Sequence, residues 1–329
     1  MESRKKDHIN LAFQSQTPIN LLDSRFNYEP LLAAHPKGLP PFTFLGKTFR
    51  APLWVSSMTG GTELAAKINR NLAKACNEFG FGMGLGSCRV ILEDDNYFAD
   101  FDMRNIIGNE LPFFANLGIS QVEQLIEDNK VYKITELVKR LKADGLIIHV
   151  NPIQEWIQPE GDRIQHPPID TIKRLLDFVH FPLIVKEVGQ GMGPNSLYEL
   201  LQLPLAAIEF AAFGGTNFAE IERLRDPSGN SHLIEPLSKV GADAYQMLEF
   251  VNNIVGEEKR IQCKQIIISG GIKSFLDGYY LIKKSRLEAV YGQASSFLKY
   301  AKEDYEQLRT FISAQIKGLE MAFAYLKVK

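Results

Sequence analysis

The sequence has no apolar run near the roughly 20 residues that a membrane-spanning helix requires, so no bilayer span is expected. Cysteine is scarce: Cys76, Cys88 and Cys263 are three in 329 residues, widely spaced and odd in number. That excludes a disulfide framework and a zinc site, and it fits a reducing cytoplasm. An excess of one charge is also lacking, since 37 Lys and Arg face 39 Asp and Glu for a formal net charge of -2. A chain this close to neutral gives no reason to expect nucleic acid as a partner. The opening Met1-Glu2-Ser3-Arg4-Lys5-Lys6-Asp7-His8 has no apolar core after its basic residues, so it is not a signal peptide. Short-period repeats and low-complexity blocks are missing too. These absences point to a cytoplasmic protein, and a 45% hydrophobic content can fill one large α/β core or two smaller ones.

What is present is alternation. From about residue 52 onward, short apolar runs alternate with amphipathic stretches. The runs are Leu53-Trp54-Val55-Ser56-Ser57, Phe81-Gly82-Met83-Gly84-Leu85, Pro112-Phe113-Phe114-Ala115-Asn116, and residues 146–150, 182–187, 206–210, 265–269 and 287–291. Helix-like patterns cover 63–79, 120–127 and 131–142. Near-continuous apolar strands between helices indicate a parallel sheet covered on both faces. Eight such units in about 250 residues match a (β/α)8 TIM barrel, with an open doubly wound sheet as the alternative, because closure cannot be read from the chain. Residues 1–50 form an N-terminal extension, 51–329 the barrel, and 296–329 a helical tail. The interval 217–264 between strands six and seven is long enough to suggest a lid.

Polar and glycine residues gather after the strands, where parallel α/β proteins place their chemistry. The densest cluster is His149-Val150-Asn151-Pro152-Ile153-Gln154-Glu155. A lone histidine would be read as a core residue satisfied by backbone; followed by Asn151, Gln154 and Glu155, His149 is read as functional. His149 and Asn151 share a strand face if the strand persists that far. Glu155 is the only carboxylate of the group, hence the expected Mg²⁺ contact. Gln154 is a weak acid and base, so a proton role there needs a partner. Gly270-Gly271 and Gly292-Gln293-Ala294-Ser295 follow the last two strands, where barrels bind phosphate, and Thr216 lies nearby. Lys186 ends strand five and either pairs with an anionic ligand or forms a structural ion pair; it and Glu187 must face opposite sides of the strand. Asn116 is either a ligand hydrogen-bonder or a turn residue. The basic N-terminus reads as a solvated tail or, alternatively, as a clamp for a diphosphate.

In order along the chain, these motifs resemble the type 2 isopentenyl diphosphate isomerases, the flavin-dependent family. The match runs through Arg4-Lys5-Lys6-Asp7-His8, Met58-Thr59-Gly60-Gly61, Gly86-Ser87-Cys88-Arg89, Ala115-Asn116-Leu117-Gly118, the His149 to Glu155 cluster and Gln158-Pro159-Glu160-Gly161-Asp162. It continues with Lys186-Glu187-Val188-Gly189, Gly214-Gly215-Thr216-Asn217 and Ser269-Gly270-Gly271-Ile272. The resemblance implies an FMN-binding barrel that interconverts isopentenyl and dimethylallyl diphosphate, with FMN reduced by NADPH and acting in proton transfer, and with Mg²⁺ on the diphosphate. It implies FMN contacts at Met58, Thr59, Gly60, Ser87, Asn116, Lys186, Thr216, Gly270, Gly271, Ala294 and Ser295. Substrate contacts would be Arg4, Lys5, His8, Ser87, Arg89, His149, Asn151 and Gln154, with Glu155 on Mg²⁺. His149, Asn151 and Gln154 would be the catalytic group, and the basic opening becomes a diphosphate clamp. It also implies a homo-oligomer, a tetramer or octamer.

The chain departs from the family pattern at Cys88 (Gln is usual), at Gly193 (Ser is usual) and at Gly292-Gln293-Ala294-Ser295, a diverged form of the usual Met-Ala-Gly turn. The last departure puts Ala294 and Ser295 in doubt as phosphate contacts. Two competing readings are another FMN barrel, such as a 2-hydroxy-acid oxidase or dihydroorotate-type dehydrogenase, and a flavin-binding protein without activity. The oxidases need a His/Arg pair late in the chain, where this sequence has only His180 and His232.

Overall fold

The computed structural model describes residues 2–57, 62–225 and 234–329. Eight parallel strands close into a barrel. In chain order they are β1 (Leu53–Val55), β2 (Gly82–Gly84), β3 (Phe113–Gly118), β4 (Gly145–His149), β5 (Leu183–Lys186), β6 (Ala207–Glu209), β7 (Gln265–Ser269) and β8 (Glu288–Gln293). Closure is made by β8 on β1, with Tyr291 opposite Leu53 and Gln293 opposite Val55. The fold is a (β/α)8 barrel, and the open-sheet alternative is excluded.

The strands are buried along almost their whole length, so both faces need apolar or small side chains. Glycine decides which bulky groups fit inside. A Cβ on Gly84 would lie 2.3 Å from Ile147 of β4, a strand two places away, so this face of β2 looks across the barrel interior. A Cβ on Gly82 would meet Trp54 at 2.5 Å, and without it the fully buried indole fills the lower barrel. The outer helices follow from the same patterning. Glu63–Phe79 buries Ala65, Ile68, Leu72, Ala75 and Cys76 along one stripe. Thr62 caps its start by accepting from the Ala65 N–H, and Gly80 ends it at φ +77°.

The N-terminal extension does two different things. Its hairpin, Phe42–Phe44 with Lys47–Phe49, sits at the amino ends of the strands, the end opposite the polar clusters. There Leu45 N–H donates to Gln265 at the start of β7, and Lys47 pairs with Asp144 just before β4. The strand Phe26–Tyr28 pairs with Leu326–Val328 near the chain's end, and Arg25 bridges to Asp277 in the first turn of the helix Phe275–Lys284. The described residues of the interval 217–264, suggested as a lid, include the helices Phe218–Arg225, Glu235–Ser238 and Ala244–Glu257. The last of these is the barrel helix that precedes β7. Among the described residues no helix is long and apolar enough to cross a membrane.

Candidate active site

Residues two apart on a strand share a face, and register then decides which strands' residues become neighbours. His149 is paired with Lys186, and Lys186 with Glu209. Three polar side chains from β4, β5 and β6 therefore stand side by side at the carboxyl end of the barrel. Lys186 and Glu209 line a cleft with Ser56, Ser57, Thr216, Gly270, Gly271, Ala294 and Ser295. Glu187 points the other way, where one carboxylate oxygen accepts from the N–H groups of Gly189, Gln190 and Gly191. Lys186 makes no ion pair with it: Lys186 Nζ donates to the Glu187 backbone carbonyl at 2.8 Å.

Among the described residues several polar atoms of the cleft have no partner. Ser56 Oγ, Ser57 Oγ and Glu209 Oε2 are buried without one, although Glu209 Oε1 accepts from Ser269 Oγ at 3.1 Å. Unsatisfied buried groups are costly, and their gathering in one cleft marks a place for a polar ligand. The cleft's far wall is backbone. Gly270 and Gly271 have φ of +91° and +72°, and a Cβ on Gly270 would fall 2.1 Å from Ala212 O. Gly215 packs against this turn, its ideal Cβ 3.1 Å from Gly271 N. Glycine at these positions leaves main-chain N–H groups open to an anion.

The neighbouring group is organised by side chains. Asn116 Nδ2 donates to the Leu85 carbonyl at 2.9 Å, which turns its Oδ1 toward His149 Nδ1 at 2.8 Å. An amide oxygen only accepts, so His149 carries its proton on Nδ1 and presents the Nε2 lone pair. Burial, and then the charge of Lys186, lower the His149 pKa to about 3. Both effects favour an uncharged imidazole at neutral pH, with Nε2 as an acceptor. The β4 strand stops at His149, so Asn151 is not on it; it occupies the position before the short helix Pro152–Ile157. Asn151 Nδ2 donates to both Gln154 Oε1 and Glu155 Oε1 at 3.0 Å, while its own Oδ1 is buried and unpartnered. Glu155 Oε2 accepts the Asp162 N–H at 2.8 Å. The Glu155 carboxylate is therefore held by one N–H on each oxygen, with lone pairs to spare.

Other predicted positions are scattered. Met58, Thr59 and Gly60 lie outside the described residues. Arg4, Lys5 and His8 are on the exposed helix Glu2–Leu11, and none of them lines the cleft. Arg89 does reach the rim, with Ser87, but is ion-paired with Asp162 at 2.8 Å, and Gln121 donates to the same Asp162 oxygen at 2.8 Å. Four residues at this site were not singled out from the sequence. Glu222 accepts from Gln154 Nε2 at 3.4 Å and is buried; Glu209, Asp162 and Gln121 are the others. Glu209 had a legible signal, a carboxylate closing an apolar strand. Asp162, 73 residues from Arg89, had only its place in the Pro-Glu-Gly-Asp motif.

No family model matches the chain. It is 32% identical to an isopentenyl-diphosphate delta-isomerase of Rickettsia felis, across 97% of this chain and 90% of that protein. It is 33% identical to the protein of the same name from Rickettsia peacockii, across 91% and 85%. Among solved structures, a double mutant of flavocytochrome b2 with pyruvate bound superposes with a TM-score of 0.63 at 11% identity, across 91% of this chain and 71% of that one. A mandelate oxidase mutant with an FMN adduct gives 0.57 at 11%, across 93% and 88%. At those identities the structural likeness shows the barrel alone. The sequence likeness extends over nearly the whole chain, and by it the chain belongs to the isopentenyl-diphosphate delta-isomerase family, the type 2 family that its motifs resemble.

Proposed function

We propose that this chain interconverts isopentenyl and dimethylallyl diphosphate with the help of bound FMN and Mg²⁺. The observation that carries the reading is the pairing of two unlike sites at one barrel mouth. One is a cleft with unpartnered polar atoms and a backbone anion cradle; the other is a set of neutral or metal-seeking side chains next to it. The cleft suits FMN, with Lys186 beside an electron-rich ring and the Gly270-Gly271 turn, with Ala294 and Ser295, at the phosphate. FMN, reduced by NADPH, supplies proton donor and acceptor chemistry and an electron-rich face there. Met58, Thr59, Gly60, Ser87, Asn116 and Thr216 complete the contacts assigned to it.

Isomerisation adds a proton at the terminal methylene carbon and removes one from the carbon nearer the diphosphate. Between the two, positive charge sits on the branched carbon. Water would capture that charge, so the site must be dry and must not offer a strong nucleophile. An uncharged His149 would not repel that cation as an imidazolium would. Gln154 accepts from Asn151 and donates to the buried Glu222, which is itself ion-paired with Arg225, so its amide would be held in one orientation toward the substrate. Glu155, held by Asn151 and the Asp162 amide, offers an oxygen to Mg²⁺, and the unpartnered Asn151 Oδ1 lies beside it. Among the described residues no three His, Cys, Asp or Glu side chains gather at one point. Mg²⁺ here would keep water and diphosphate oxygens as its other ligands, as its chemistry favours. Arg89 would exchange Asp162 for the diphosphate, joined by Arg4, Lys5 and His8.

The N-terminal segment also exposes Phe13, Ile19 and Leu31, at 84%, 88% and 92%. Apolar exposure on this scale supports the homo-oligomer expected of the family. The test is anaerobic incubation of the protein with FMN, NADPH, Mg²⁺ and isopentenyl diphosphate. Dimethylallyl diphosphate should form without net oxidation of substrate. Its absence, with the flavin shown to be reduced, would overturn the reading; stoichiometric substrate oxidation would favour an oxidase.

A further inference from the structure

The C-terminal helix Tyr305–Tyr325 lies in the outer layer, packed on Phe275–Lys284 and Ser295–Ala301, and none of its residues lines the cleft. A buried polar chain nevertheless connects the two. Tyr291 Oη donates to Gln315 Oε1 at 3.2 Å, Gln315 Nε2 donates to Gln293 Oε1 at 2.9 Å, and Gln293 Nε2 donates to the Ile272 carbonyl at 3.2 Å. Gln315 and Gln293 are each 5% exposed and Tyr291 is fully buried. The carbonyl can only accept, so it sets the sense of the whole chain: flipping either amide would place two acceptors face to face.

Two buried carboxamides are a costly way to fill space that leucine or methionine could occupy. A fully satisfied chain returns something packing does not, which is a defined geometry at its end. Here the end is Ile272, directly after Gly270 and Gly271, whose positive φ values favour glycine and leave no side chain to hydrogen-bond the turn. Gln293 also stands in the diverged segment Gly292-Gln293-Ala294-Ser295, and it lines the cleft itself.

We propose that Gln315, through Gln293 and the Ile272 carbonyl, is a positioning residue for the phosphate-holding turn and so sets the affinity of the chain for FMN. The proposal rests on the FMN reading above. Its test is titration of the FMN-free protein with FMN and with riboflavin, which lacks the phosphate, in wild type, Gln315→Met, Gln293→Met and the double variant. Tyr291→Phe is the mild member of the series and carries the test if a Gln variant does not fold. Each Gln→Met change should weaken FMN about tenfold, the value of one well-placed hydrogen bond. The double variant should be no weaker than the worse single, since both break one chain. Riboflavin affinity should change less than about twofold, because no phosphate is there to misalign. Equal FMN affinity in wild type and Gln315→Met overturns the proposal. So does an equal loss for FMN and riboflavin, which a general loosening of the barrel would cause. If wild type binds neither flavin, the cofactor reading fails and this proposal with it.

Discussion

Around His149 and Glu155 the polar side chains mostly satisfy one another, with Asn151 Oδ1 the exception, whereas around Lys186 and Glu209 several of them do not. Asn116, His149, Asn151, Gln154 and Glu155 form short hydrogen bonds at 2.8 to 3.0 Å that fix tautomer and amide orientation before any ligand arrives. On the other side Ser56, Ser57 and Glu209 keep bare polar atoms, and the wall is glycine backbone. A preorganised half suits chemistry in which charge appears only briefly, because its dipoles need not move. A half with open valences suits a resident group that satisfies them once and stays. If that contrast is real, damage to one half should leave the other's function intact.

The largest effect is expected from Gly270→Ala. The new Cβ would collide with Ala212 backbone atoms at 2.1 and 2.2 Å and would force an alanine to φ +91°. FMN binding should be lost, with stability lowered by about 3 kcal/mol. Flavin titration and thermal melting check it, and an alanine variant that binds FMN normally would break the backbone-cradle account. Next is Glu155→Gln, which should lower turnover about 100-fold and abolish its Mg²⁺ dependence. FMN affinity should stay within about twofold of wild type. A parallel loss of FMN would show that the two halves are not separate.

The pH dependence of stability probes the preorganised half more finely. His149 titrates near 6.5 when unfolded and at about 3 when folded. Between those values the unfolded chain holds more protons, so its contribution is complete above pH 6.5 and is lost progressively on acidification. The slope is at most about 1.4 kcal/mol per pH unit. Denaturant melts at pH 7 and pH 5 should show a smaller acid loss in His149→Gln than in wild type; identical losses would refute the neutral-histidine assignment. The smallest effect is expected at the rim. Asp162→Asn frees Arg89 from an ion pair whose members are 57% and 32% exposed. Freed of that competing carboxylate, Arg89 should hold the diphosphate more readily and lower the KM for isopentenyl diphosphate by about twofold to fivefold, with FMN affinity unchanged.

Much of this was legible in the chain. The eight strands could be read because strands buried on both faces must be apolar throughout, and Lys186 and Glu187 were separated by alternation alone. The His149 cluster stood out because its members are close in sequence and sit where a strand ends. Other parts were not legible. Asn151 was assigned to the strand face, but the strand ends at His149, two residues short of what that reading needed, and Asn151 stands at the N-cap position of the Pro152 helix instead. Gln121 and Gln315 looked like ordinary helix residues, since a helix pattern shows which face is inward and not what it touches there, and Glu222 fell in the interval 217–264 suggested as a lid.

Local sequence determined which segments are strands and helices, because hydrophobic period and turn chemistry act over a few residues. It also determined the residue types at each strand end. The tertiary structure alone decided that β8 closes on β1, that His149, Lys186 and Glu209 become neighbours, and that Gln315 meets Gln293. Those contacts depend on strand register and helix packing between residues tens to hundreds of positions apart. Only the folded barrel brings such residues within hydrogen-bond reach, and only there does His149 lose enough water to become a neutral acceptor.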